Sequence, residues 1–442
     1  MKITKIKQFT LIATAILSGC AASNSVTTNN QSIAKTTDRE IKEQTVSNGS
    51  SNNTADLLVA EQNTAQETNQ TNVETPATEI KSFANLPPIP LDKNQATEFL
   101  DIRGVGDSAM ALTYQQPPKP DQPLPEGGLA NFGERLDAFD PTGKSYRGDL
   151  SFINWESAIG QYCNQFRGTP SPSSYTFVSH PINIAEAYRR GFNMIGLANN
   201  HSWDCPVGEQ GLYGAKVSAL YMENLTEQMT ANWLWHGVGD DTQKTTAQVN
   251  TITVKGKPIK IAFASLYLGA ACTNITCIEN EDEILQSLKD ADADIRIISI
   301  HSWNKETQQN LVSTGTKFIR DYKGDIVFGH GPHVWQPVTI IESNSGKKGV
   351  MFESLGNFIH PNLAAKRKDM IGRVLLDLDT LTIQQVQGIP LRVDASNASF
   401  QGALSAQSIP AKNFTWQSIN QPSWGSEISP QVQGVYYNLE QE

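Results

Sequence analysis

Four of the seven histidines, His201, His301, His330 and His333, sit inside short polar clusters. The clusters read GDSA from Gly106, NWES from Asn154, ANNHSWD from Ala198, IHSWN from Ile300 and GHGPH from Gly329. Together they offer Asp107, Asn154, Glu156, Asn199, Asn200, His201, Asp204, His301, His330 and His333. Carboxylate, amide and imidazole groups gathered in one place make a mixed oxygen and nitrogen donor set, which suits Mn, Fe or Zn divalent ions. The same groups can act as general acids and bases. Any one of these histidines alone reads as an ordinary core or surface residue; the four together point to a metal or catalytic site.

Elements must bring these residues together, and the spacing of apolar residues supplies them. Strand-like runs at 103–106, 151–154, 193–197, 295–300 and 326–328 each lead straight into one of the clusters, and a further run lies at 259–265. Amphipathic helix patterns at 182–191, 208–229, 281–290 and 307–322 alternate with them. That alternation predicts an α/β chain with a layered sheet and flanking helices. In such sheets the strand carboxyl ends line the ligand crevice, so the clusters should converge there. The stretch 349–392 returns to strands, with 374–378 and 381–386 joined by an Asp-Thr turn, and no internal repeat is visible.

Taken in order, GDSAM, NWESAI, ANNHSWD, HSWN, GHGPHVWQP and SLGNFI resemble the CapA family of capsule or poly-γ-glutamate biosynthesis proteins, over roughly residues 100 to 362. The resemblance implies a fold like that of calcineurin-like metallophosphoesterases. It implies Asp107 as first metal ligand, Glu156 as a bridging carboxylate, Asn200 as an amide-oxygen ligand, and His301 and His333 as imidazole ligands. Asn154, Asn199 and His330 would be additional donors at the same rim. His201 would donate a proton or bind an anion, with Asp204 orienting it. Three positions depart from the phosphoesterase pattern. Its Asp-x-His has Ala109 in place of His, its Gly-His-x-His becomes the longer 329–333 run, and its His-x-Gly-x-Glu becomes HSWNK. The implied cofactor is therefore one or two divalent ions, with one ligand position lost.

Other residues in these motifs carry two readings each. Asp204 either orients His201 or caps the helix that follows. Trp155, Trp203, Trp303 and Trp335 either line a sugar- or peptide-binding cleft or serve as packing walls.

The first twenty residues form a cationic start, a short apolar stretch and then LSGC, which reads as a signal peptide (1–19) ending in a lipobox with Cys20 lipidated. Ala21, rather than Asp, directs such a lipoprotein to the outer membrane, facing the periplasm, in a diderm cell. Residues 20–85 are rich in Ser, Thr, Asn and Gln and predict a disordered tether with a reach of about 45 Å. Residues 86–400 then form the CapA-like domain and 401–442 a polar, loosely packed tail. Setting Cys20 aside leaves Cys163, Cys205, Cys272 and Cys277, an even number in an oxidising compartment. Cys272 and Cys277 are close in sequence and pair naturally, which leaves Cys163 for Cys205.

Lys and Arg number 35 against 45 Asp and Glu, for a net charge of −10. A chain this acidic is repelled by phosphate backbones, so nucleic acid is not among its expected partners. The expected partners are the membrane, through the N-terminal lipid, an anionic surface polymer or its precursors, and capsule-synthesis proteins. Two functions fit: a membrane-anchored, metal-dependent hydrolase that uses a metal-activated water in surface-polymer biosynthesis or attachment, and a non-catalytic polymer-binding or scaffolding lipoprotein.

Overall fold

Strands that are apolar on both faces must be covered on both faces, and here they stack as two sheets. The structure, a computed structural model, describes residues 99–109, 132–167, 175–360, 366–394, 397–420 and 433–439. The expected signal peptide, Cys20 and the tether lie outside the described residues. In the first sheet Phe99–Ser108, Leu150–Trp155, Met194–Gly196 and Leu234–His236 run parallel. Antiparallel strands Lys366–Asp377, Ile383–Asp394, Gln433–Asn438 and Gln417–Asn420 extend it on the other side of Phe99–Ser108. In the second sheet Lys257–Tyr267, Ile295–His301, Ile326–His330 and Lys348–Phe352 are parallel. Antiparallel Gln248–Val254 and Val338–Glu342 form its edges.

Alternation along the strands sorts side chains into layers. Leu100, Phe152, Phe263, Ile297, Phe328 and Val374 meet between the sheets in one buried cluster. Phe152 stacks on Phe328 with centroids 4.9 Å apart. Their neighbours Val105, Ile153 and Ile195 face outward into a cluster under helices Phe132–Phe139, Pro181–Arg189 and Gly214–Gln228. Ile298, Ile300 and Val327 do the same under Glu281–Asp290 and Lys305–Asp321. The α/β layered architecture expected from the sequence is thus present, but as two face-to-face sheets with helices outside each.

Two expectations change. The helix expected from 208 begins only at Gly214, because Gln210 and Gly211 take positive φ and Val207–Gly208 pair with Cys163–Gln165. Described residues of the C-terminal stretch expected to be loose are instead built into the core. Gln433–Asn438 joins the first sheet, and Ala406, Ile409 and Val435 are buried between the sheets, where their apolar side chains leave water.

Both disulfides form as expected, Cys163–Cys205 with Cα atoms 5.8 Å apart and Cys272–Cys277 with 5.2 Å.

Candidate metal centre

The parallel strands of both sheets end on one rim, and the polar clusters meet there. Asp107 ends the first strand beside a second segment: its N–H donates to Gly356 O, and Phe358 N–H donates to its carbonyl. A Cβ on Gly106 would collide with the Gly356 backbone, so only glycine admits this close approach. At the turn after Ile326–His330, Gly331 takes φ +109° and its N–H reaches Asp107 Oδ2 at 3.3 Å.

Asp107, Glu156 and His333 bring one donor atom each within 4.8 Å of one another. His333 Nδ1 lies 3.1 Å from Asp107 Oδ2 and 3.9 Å from Glu156 Oε2. His301 Nε2 lies 3.5 Å from Glu156 Oε1, and His330 Nδ1 lies 3.4 Å from Asp107 Oδ1. Asn154 Nδ2 donates to Asp107 Oδ1 at 2.7 Å. Both carboxylates are fully buried, whereas 30% of the His333 side chain is exposed. His333 is thus the face of the cluster that meets solvent.

Electrostatics show how strongly the pair of carboxylates draws positive charge. Burial pushes Asp107 up, but hydrogen bonds with His330 and His333, and the charges of His301 and His333, hold it well below the usual carboxylate range. Burial and Asp107 raise Glu156, yet His333 and His360 bring it below its ordinary value. Burial drives His301 down to about 4 against the pull of Asp107 and Glu156, leaving a neutral ring. In His333 burial is outweighed by Glu156, Asp107 and Asn357, which lift it to about 10. Two like charges this close disfavour each other, so positive charge between them stabilises both. Asn154 turns its Nδ2 to the cluster, and its Oδ1, like Asn200 Oδ1, is shielded from solvent with no hydrogen-bond partner among the described residues.

Beside the cluster stands an imidazole of a different kind. His201 Nδ1 lies 2.6 Å from Asp204 Oδ2, and its Nε2 is turned toward Glu156 Oε1 at 4.0 Å. Phe177 covers the ring face at 4.5 Å between centroids. Asp204 therefore orients His201 and does not cap a helix; the helix at Gly214 has Tyr213 as its N-cap.

Of the residues singled out in the sequence, Asp107, Asn154, Glu156, His301, His330 and His333 come together, with His201 and Asp204 against them. Asn200 enters through its position beside His201 and its orphaned oxygen. Asn199 is a correction: its amide accepts from His201 N and donates to Trp155 O, so it builds the turn. Trp155 and Trp335 are buried packing residues rather than cleft lining, while Trp303 is 58% exposed.

Two functional residues escaped the sequence reading. His360 Nε2 lies 3.0 Å from Glu156 Oε2, and Asn357 Oδ1 lies 2.9 Å from His333 Nδ1. Both belong to or follow SLGNFI, yet they lie beyond the end of a strand at Phe352, where the rule of a polar cluster at a strand end does not look. A second group of metal-ligand types, Cys272, Cys277 and Glu279, has its sulfurs committed to the disulfide.

Residues 105–362 match the model of a family described as bacterial capsule synthesis protein PGA_cap. Among solved structures the chain is similar to one described as a novel phosphatase from Mycoplasma pneumoniae, with 12% identity, a TM-score of 0.38, and coverage of 68% of this chain and 95% of that one. It is also similar to a hypothetical protein from Thermus thermophilus, with 12% identity, a TM-score of 0.36, and coverage of 66% and 99%. No curated protein matches the chain.

Proposed function

The chain belongs to the bacterial capsule synthesis protein family, and from that premise we propose that it is a metal-dependent hydrolase of a surface polymer or its precursors, held at the membrane by a lipid on Cys20. The observation that carries this reading is the buried Asp107, Glu156 and His333 cluster with the His201–Asp204 pair facing it. Asp107, Glu156, His301 and His333 would hold the ion, with Asn200 adding an oxygen. Mn, Fe or Zn bound there supplies Lewis acidity and lowers the pKa of a water toward neutrality.

The protein's own residues account for the rest of the chemistry. In hydrolysis a water oxygen bonds to the electrophilic phosphorus or carbonyl carbon, and the bond to the leaving oxygen or nitrogen breaks. That atom keeps the electron pair and takes a proton from His201 Nε2. The proton given up by the attacking water returns to the imidazole through solvent. Asp204 on Nδ1 fixes the ring so that Nε2 faces the reacting centre. The family supports a role in capsule synthesis, and capsule polymer or poly-γ-glutamate is the proposed substrate class. The lipid anchor places the work in the cell envelope, at the outer membrane facing the periplasm in a diderm cell, alongside other capsule-synthesis proteins.

One observation favours a polymer-binding scaffold instead. Ala109, where the phosphoesterase pattern has a ligand, is buried against Phe177. The deciding experiment measures metals by mass spectrometry in the purified chain after growth in Mn- or Zn-supplemented medium, and assays generic phosphodiester and γ-glutamyl substrates. Stoichiometric metal with turnover supports the hydrolase; a parent chain that carries no metal and acquires none sinks it in favour of the scaffold.

A further inference from the structure

The segment that carries Asp204 is gripped from outside by a second segment that makes no polar contact with the carboxylate cluster among the described residues. Arg167 Nε lies 2.7 Å from Asp204 Oδ1, Arg167 N donates to Asp204 O at 2.9 Å, and the guanidinium carbon sits 4.4 Å over the Trp203 ring. One residue on, Cys205 is bonded to Cys163, and Cys163–Gln165 pairs with Val207–Gly208. Asp204 itself is fully buried. Its Oδ2 serves both His201 Nδ1 and the N–H of Phe177, at 2.6 and 2.7 Å. Oδ1 makes no hydrogen bond among the described residues and is met by the charge of Arg167 alone, an ion pair that offsets its buried charge.

We propose that Arg167 is a positioning residue for the proton-donating imidazole of His201, acting through Asp204 and kept in register by the Cys163–Cys205 cross-link. The proposal rests on the hydrolase reading. Its consequence is selective, because a misplaced imidazole matters in proportion to how much the leaving group needs a proton. An alkoxide leaving group must be protonated as the bond breaks, whereas p-nitrophenolate departs without help.

The test compares the purified full chain with Arg167→Gln, Arg167→Lys and a Cys163→Ser/Cys205→Ser double variant on bis-p-nitrophenyl phosphate and on an alkyl phosphodiester. For Arg167→Gln, kcat on the alkyl substrate should fall about 10- to 100-fold, part of the roughly 10²- to 10⁴-fold that a general acid contributes. On the aryl substrate it should fall less than about threefold, with KM and metal content unchanged. Arg167→Lys should recover part of the loss, and the double cysteine variant should shift the alkyl-to-aryl ratio the same way by less.

A second readout needs neither turnover nor metal. The His201 Nδ1 proton in its short bond to Asp204 should give a far-downfield proton NMR line, assigned by its absence in His201→Ala. Arg167→Gln should move or abolish that line. Equal loss on both substrates, or an unmoved line, overturns the proposal. A parent chain that binds metal but hydrolyses neither substrate removes the hydrolase reading and the role of Arg167 in proton donation with it; a line that still moves in Arg167→Gln would then retain only the structural grip on the imidazole.

Discussion

His333 holds a backbone conformation that residues with a Cβ seldom adopt, φ +55°, at a cost on the order of 1 kcal/mol or more. Asn357 compensates by holding the residue twice, through its ring at 2.9 Å and its carbonyl at 3.2 Å. The strained turn keeps the imidazole between Asp107 and Glu156, where its proton stands in for a cation. Because those carboxylates lift His333 to about 10, an arriving ion must displace that proton. Affinity for Mn or Zn should therefore rise about tenfold per pH unit from neutrality toward pH 10. Calorimetry at pH 8 in buffers of different ionisation heat should read about one proton released per ion; none released would show that His333 keeps its proton. For His201→Ala we expect a loss of about 10²- to 10⁴-fold in rate with metal content retained, whereas Asp107→Asn should lower the metal content itself.

At the opposite end of the same strand, Asp101 is buried between Arg103 and Arg373, at 2.6 and 2.8 Å. Burial raises its carboxyl, but the two arginines lower it to about 2. A folded value below the unfolded one of about 3.9 means the stabilisation is complete above about pH 4 and is lost as the pH falls through 2. Asp101→Asn should cost about 3–5 kcal/mol at pH 7, since it strands two buried cations, and the difference should shrink in urea titrations run toward pH 2.

At the scale of elements, the site exists because two sheets end at the same rim, and the apolar layer between them sets that alignment. Phe152 stacks on Phe328 and tilts against Phe263 at 5.9 Å. Phe152→Ala should destabilise by about 3–5 kcal/mol through the cavity it leaves, read from urea midpoints. Because the same residue aligns the strands bearing Glu156 and His330, metal affinity should weaken along with stability. Gln433–Asn438 pairs with Ile383–Asp394, so truncation after residue 401 would bare a strand edge and the apolar contacts of Ile409 and Val435. That chain should aggregate, which light scattering would show.

For the whole molecule, the anchor proposed at the LSGC segment has a test of its own. Cys20→Ser should release the protein from the membrane fraction or block its maturation. Unchanged partitioning of that variant into the detergent phase would rule the anchor out.

What could be read from the sequence alone were features decided within a few residues. Apolar period located several of the strands, polar clusters at their ends marked Asp107, Glu156, His201, His301 and His333, and the closeness of Cys272 to Cys277 named one disulfide, which left Cys163 for Cys205 by elimination. Each depends on local backbone preference or on chain proximity, so each survives without knowledge of the fold. The tertiary structure decided the rest. Whether one sheet or two would form, which amide stays free and which builds a turn, and that His360, Asn357 and Arg167 belong to the site all follow from contacts between distant segments. Asp107 meets Asn357 only because the chain returns beside the first strand, and Arg167 meets Asp204 only because a short ladder and a disulfide bring them together. Such contacts are selected by how two apolar faces pack, which no local pattern of residues encodes.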